Sequence, residues 1–163
     1  MSALSRPASS RPLLLSAVLA AALAAPSTQA APPAGGTAEI VDRTNAARAE
    51  SGCGPLAPVP ELDRSAQAHA ADMATNDFFA HSDATSPARS GGAGPPVPLP
   101  EGRAGENIAA GNATAAETFD QWMTSPEHRA NIQNCGFTGI GVGHAFDPRS
   151  TYGHYWVQEF SGP

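Results

Sequence analysis

The chain has 163 residues, with 15 Asp and Glu against 9 basic residues, all of them Arg, and a formal net charge of −6 at pH 7. A surface of that sign repels phosphate backbones and anionic lipid headgroups, so nucleic acid is excluded as an expected partner. The length suits one domain with one core and is short for two.

In chain order, Arg6 and Arg11 precede the apolar run LLLSAVLAAALAA and the small-residue exit STQA. That is the pattern of a secretory signal peptide. The run from Leu13 to Ala25 is shorter than the about 20 apolar residues that span a bilayer. Residues 1–30 are therefore expected to be removed near Ala30, leaving a secreted, extracellular protein with no transmembrane anchor. The two arginines that leave with this leader take the formal charge from −6 to −8. Cys53 and Cys135 are the two cysteines, and export places them where disulfides persist. An even count in an exported chain predicts that they pair, closing a loop worth about 4 to 5 kcal/mol on the chain-entropy account. The competing reading makes one of them a nucleophile activated by a histidine.

Residues 31–36, APPAGG, read as a flexible lead to a domain over 37–162. In TAEIVDRTNAARAESG, Ile40, Val41, Thr44, Ala47 and Arg48 recur near helical spacing, and CGPLAPVP ends the pattern. A second helix is predicted from Pro60, a favoured first-turn residue, through Leu62, Ala66, His69 and Met73 on one stripe. His69 lies on that stripe and reads as a packing histidine rather than a ligand. Residues 84–103 are too rich in Gly and Pro for regular structure and read as a long surface loop, the kind of segment that often carries function. GENIAAG follows as a short apolar element between glycines. Thr114 and Glu117 then match the capping-box pattern, with Ala115, Phe119, Trp122 and Met123 as the buried face. The overlapping sequon at Asn112 is incidental if Thr114 is engaged as the cap.

Ser125 and Pro126 read as the cap and first position of a further short helix, with Glu127 and His128 in its first turn. After Cys135 the period changes to two. Ile140, Val142, His144 and Phe146 alternate in one run; Trp156, Gln158 and Phe160 alternate against Tyr155, Val157 and Glu159 in the next. With DPRSTYG between them, these runs predict an antiparallel hairpin. Helices followed by glycine-punctuated strands predict an α+β domain with helices packed on a small sheet.

Three places carry ionisable residues next to apolar ones: His81 after FFA, Glu106 inside GENIAAG, and His128 in SPEHRAN. His81 could end a helix, where the dipole favours it, and Glu106 could cap a turn. A positive charge is disfavoured at a helix N-terminus, so His128 should stay neutral, the form that binds metal or accepts a proton. Two histidines and a carboxylate suit zinc or another borderline divalent ion, although their spacing matches no local metal motif.

Six stretches taken in order, TNAARAESGCGPL, LDRSAQAHAADMATNDFFAHSD, AGENIAAG, WMTSPEHRANI, FTGIGVG and YWVQEF, make the chain resemble the CAP superfamily of cysteine-rich secretory, antigen 5 and pathogenesis-related 1 proteins. The likeness is nearest to its compact bacterial secreted branch. It implies a three-layer α-β-α sandwich with a central antiparallel sheet, and a cleft built by two histidines and two acidic residues. His81, Glu106 and His128 fall on three of those positions. The fourth falls on Ser125, while Glu127 stands where relatives usually carry glycine and reads as a surface residue or as a substitute acid in the cleft. The loop over 84–103 also departs from the pattern of the bacterial branch.

The expectation that follows is a monomeric secreted binding domain for a small apolar ligand, a sterol or lipid, or for a divalent cation such as zinc. The alternative is a metal-dependent extracellular hydrolase, peptidase-like, in which His81 and His128 hold the ion and Glu106 ligates it or acts as general base. A third possibility is an interaction module that uses the loop and leaves the cleft idle. No nucleophile is evident: Ser125 beside His128 is better explained as a helix cap.

Overall fold

The computed structural model describes residues 36–82 and 102–163, which lie within one compact unit, Ala31–Pro163. The expected signal peptide, the lead except Gly36, which opens the first helix, and most of the predicted loop fall outside the described residues. Four helices and four strands follow in the order α1 (Gly36–Glu50), β1 (Ala57–Pro58), α2 (Pro60–Asn76), β2 (Arg103–Ala110), α3 (Ala115–Thr124), α4 (Pro126–Ile132), β3 (Gly139–Phe146) and β4 (His154–Ser161).

The sheet order is β1-β3-β4-β2. β3 and β4 form the predicted antiparallel hairpin, and β2 pairs antiparallel with the far side of β4. β1 lies parallel to β3, so the sheet is mixed rather than wholly antiparallel. Proline explains how short β1 is: Pro58 and Pro60 have no N–H, and only the amides of Ala57 and Val59 can donate, to Thr138 and Ile140.

The period-two pattern of GIGVGHAF separates two faces with opposite needs. Ile140 and Val142 pack into a core with Ile40, Phe119, Trp122, Ile132, Trp156 and Phe160, which brings α1, α3 and α4 onto one side of the sheet. The intervening glycines face α2, which sits nearly on the backbone. A Cβ on Gly141 would lie 2.2 Å from the Leu62 carbonyl carbon, and one on Gly143 would lie 2.3 Å from that of Ala66. Real side chains never approach that closely, so only glycine admits the helix. Ala66, Ala70 and Met73 of α2 then close a second core with Ile108, Tyr155 and Val157. Helices cover both faces, and the three-layer α-β-α sandwich expected from the resemblance is the architecture observed.

Several local signals form as written. Thr114 and Glu117 complete both halves of the capping box. α2 starts at Pro60 and ends where Asp77 takes a left-handed conformation at φ 51°. Cys53 and Cys135 are bonded with Cα atoms 4.9 Å apart, tying the turn after α1 to the turn after α4. Arg48 is fully buried beside that bond, its guanidinium donating to the carbonyls of Gly54, Ile132, Asn134 and Phe137. One buried cation thereby serves four carbonyls of the chain around the disulfide, sharing that of Asn134 with the Phe137 amide.

Candidate functional site

β2 is an edge strand, paired on one side only. Its other side is covered instead of paired: Asn131 of α4 donates to the Glu106 carbonyl at 3.2 Å, and the Trp122 indole of α3 donates to the Ile108 carbonyl at 3.1 Å. Such covering protects an edge from other strands. It also brings α4 to the place where the chain leaves α2, so that residues from both outer layers meet at Glu106.

The segment after α2 is held by His69, which is 3% exposed and whose Nε2–H donates to the Ala80 carbonyl at 3.0 Å. The next residue, His81, turns its Nδ1 to Glu106 Oε1 at 2.7 Å. Ser82 closes on the same carboxylate, its amide donating to Oε1 at 3.0 Å and its hydroxyl to Oε2 at 2.5 Å. The Glu106 side chain is 4% exposed and that of His81 59% exposed. A buried carboxylate therefore fixes the orientation of a histidine whose outer edge faces solvent.

His128 comes from α4 on the opposite layer. Its carbonyl accepts from Asn107 at 3.1 Å, and its Nδ1 is buried with no hydrogen-bond partner. Desolvation lowers its pKa below the ordinary 6.5, and the nearby His81 pushes in the same direction, with Glu127 partly offsetting both. The expected neutral form is thus favoured, with burial rather than the helix dipole as the main cause.

Of the five residues singled out from the sequence, His81 and Glu106 are joined directly, and His128 lies within electrostatic reach of His81. Glu127 is exposed and acts on His128 only through its charge. Ser125 occupies the N-cap position of α4 in extended backbone, but its side chain makes no capping hydrogen bond, contrary to the reading that assigned it that role. The donor types suit a borderline divalent ion, yet both Glu106 oxygens are already engaged. Among the described residues no group of three or more His, Cys, Asp or Glu is placed to hold a metal ion.

A buried polar chain stands behind the site and was not read from the sequence. Asn107 donates to Gln158 at 3.1 Å and accepts from Asn131 at 2.9 Å, and Gln158 donates to Thr44 at 2.8 Å. Thr44, Asn107 and Gln158 are all fully buried. The chain links α1, β4, β2 and α4, and it sets the height of His128 above the strand. The available signal was polar residues at inward positions of otherwise apolar strands.

Residues 41–160 match the cysteine-rich secretory protein family, CAP. An uncharacterized protein of Bacillus subtilis, YkwD, is 36% identical over 130 residues, covering 76% of this chain and 46% of that protein. The chain thus spans less than half the length of this curated relative. Among solved structures, an extracellular protein containing an SCP domain from Bacillus anthracis superposes with a TM-score of 0.61 at 28% identity, over 78% of this chain and 40% of that one. An outer surface protein of Borrelia burgdorferi superposes with a TM-score of 0.60 at 15% identity, over 77% of this chain and 90% of that one, a likeness of fold alone. Among the described residues no helix is long and apolar enough to cross a membrane. With six motifs in order, a shared three-layer fold and a family match over most of its length, the chain belongs to the cysteine-rich secretory protein (CAP) family.

Proposed function

We propose that the protein is a secreted, extracellular binding domain that engages a small ligand in the cleft at the edge of β2, between His81 and His128. The observation that carries this reading is the buried, unpartnered Nδ1 of His128, on a ring within electrostatic reach of the His81 that Glu106 orients. A buried polar atom without a partner is costly, and an incoming group relieves that cost. Two occupants suit it. A sterol or other apolar molecule with a hydroxyl handle would offer the hydrogen bond that His128 lacks. A divalent cation such as zinc would use the histidines as ligands.

The cation, and with it the metal-dependent hydrolase, has one observation in its favour. Glu106 bound to Nδ1 of His81 is the carboxylate–histidine arrangement that commonly orients a metal-ligating imidazole, leaving Nε2 for the ion. Glu106 would then act as an orienting carboxylate rather than as a ligand, and any hydrolysis would depend on water activated by the ion.

Sterol delivered from vesicles and zinc chloride, each titrated into the full chain and into the His81→Ala/His128→Ala variant, test the proposal. Saturable binding of either, lost in the variant while its melting temperature holds, supports it. Absence of both from the native chain sinks it.

A further inference from the structure

Phe79, Phe146 and Tyr152 are the large hydrophobic side chains left exposed among the described residues, by 45%, 58% and 48%. A single exposed apolar residue needs no explanation, but two of these touch. The Phe79 and Tyr152 rings lie 5.9 Å apart with their planes tilted by 58°. Tyr155 meets Tyr152 edge-on at 6.0 Å, and among the described residues neither exposed ring has a stacking partner.

A carboxylate stands beside them. Asp77, at the left-handed end of α2, accepts from the Thr151 amide at 2.6 Å, from the Thr151 hydroxyl at 3.0 Å and from the Tyr155 hydroxyl at 3.3 Å. The two bonds from Thr151 are the main reason its pKa lies below the ordinary carboxylate value, so it is charged at neutral pH. A carboxylate offers about four acceptor sites, which leaves one open on an exposed residue. Arg149, on the same turn, is committed elsewhere: it holds Asp147 with two hydrogen bonds, at 3.0 and 2.8 Å. Among the described residues no cation pairs with Asp77.

We infer that Phe79, Tyr152 and Asp77 form a docking surface for an arginine side chain of a partner protein. An apolar partner laid over the rings would bury the Asp77 charge without a counter-ion, at a penalty larger than two half-exposed rings return. An anionic partner is repelled by Asp77 and by the formal charge of −6 on the whole chain. A guanidinium meets both demands, because its flat face stacks on an aromatic ring while its N–H fork reaches a carboxylate. An ammonium is more strongly hydrated and has no face to stack. The spacing is short enough for one side chain: Thr151, whose amide Asp77 holds, directly precedes Tyr152. The space also favours a side chain over a free molecule. The cavity beside Asp77, lined by Ala74, Thr75, Asp77, Asp147, Arg149 and Ser150, has about 210 Å³, below the about 300 Å³ of sites that enclose whole ligands. Tyrosine and arginine are also among the side chains that carry most of the energy of protein interfaces. The surface draws on none of the cleft residues.

The test follows the ring signals of Phe79 and Tyr152 by magnetic resonance while a blocked glycine-arginine-glycine peptide is added to the full chain. The expected result is a saturable shift of both rings, weaker with the lysine peptide and absent with the citrulline peptide, which keeps the shape and lacks the charge. Asp77→Asn and Tyr152→Ser should each weaken binding about two- to fivefold. Asparagine tolerates the left-handed φ of 51° and keeps an oxygen for Thr151, so the turn persists. Asp42→Asn, which removes an exposed charge from α1 on the other side of the sheet, should bind as the native chain does. Absence of a saturable shift, equal binding of the lysine or citrulline peptide, or a loss in Asp42→Asn that matches Asp77→Asn overturns the inference. Unchanged affinity in Tyr152→Ser also overturns it, and this surface variant decides even if Asp77→Asn fails to fold.

Discussion

At the edge of β2, His81 is held by the buried carboxylate of Glu106 and His128 by burial on α4, whereas at the hairpin end His144 and His154 are held by aromatic rings and by each other. The first pair depends on long-range structure. It needs α2 to deliver His81, α4 to deliver His128, and the Asn107 chain to keep them level. The second pair depends on two neighbouring strands and little else. A cleft assembled from opposite layers can close on a ligand from two sides; a pair on one hairpin face is hydrogen-bonded within itself. Perturbing the α4 side of the molecule should therefore loosen the first pair and spare the second.

The largest such perturbation is reduction of Cys53–Cys135, which spans a sequence separation of 82 and anchors the exit of α4. Loss of the bond should destabilise the fold by about 4 to 5 kcal/mol. For a domain of this size that lowers the melting temperature by more than about 10 °C. Calorimetry with and without a strong reductant checks it, and an unchanged melt would contradict the structural role given to the bond. A smaller and more local break is Asn107→Ala. It strips hydrogen bonds from Gln158, Asn131 and the His128 carbonyl at once, at a cost of about 2 to 3 kcal/mol in unpaired buried groups. Ligand binding at the cleft should fall in this variant, with the contact between His144 and His154 at the hairpin unchanged.

How far these features could be read in advance follows the same division. The helices, the capping box and the hairpin are governed by local periodicity and turn chemistry, and Leu62, Ala66, His69 and Met73 or Ile140 and Val142 announce their faces directly. β2 was legible only as a short apolar element, because an edge strand that alternates Glu106 and Asn107 between two buried networks lacks the simple polar-out pattern. The cleft residues His81, Glu106 and His128 stand far apart in sequence and came through family resemblance; no spacing rule reaches them. Ser125 misled because the right residue type in the right backbone position still failed to make the capping bond. The hairpin pair was half visible: His144 sat on the predicted face, but its partnership with His154 required the strand register.

Acid should act on both pairs, and the variants separate them. His128 and His144 each have a pKa lowered from 6.5, mainly by burial, so the unfolded chain takes up protons there before the folded one does. Their contribution is thus complete above about pH 6.5, and stability declines as the pH falls from there toward their lowered values. Asp147, held at about 2 by hydrogen bonds from Arg149, contributes only to losses at much lower pH, leaving the range just below 6.5 to the histidines. Melting temperatures between pH 7 and 5 should fall less steeply in His128→Gln and in His144→Gln than in the native chain. A slope unaltered in either variant would remove that histidine from the account.

The most direct measurement follows the ring-nitrogen signals of the five histidines by magnetic resonance while sterol or zinc is added to the full chain. The account predicts that the His128 and His81 signals move together and saturate, with His69 unmoved beneath them. A ligand that binds while His81 and His128 stay fixed would place recognition elsewhere and contradict the cleft as the binding site.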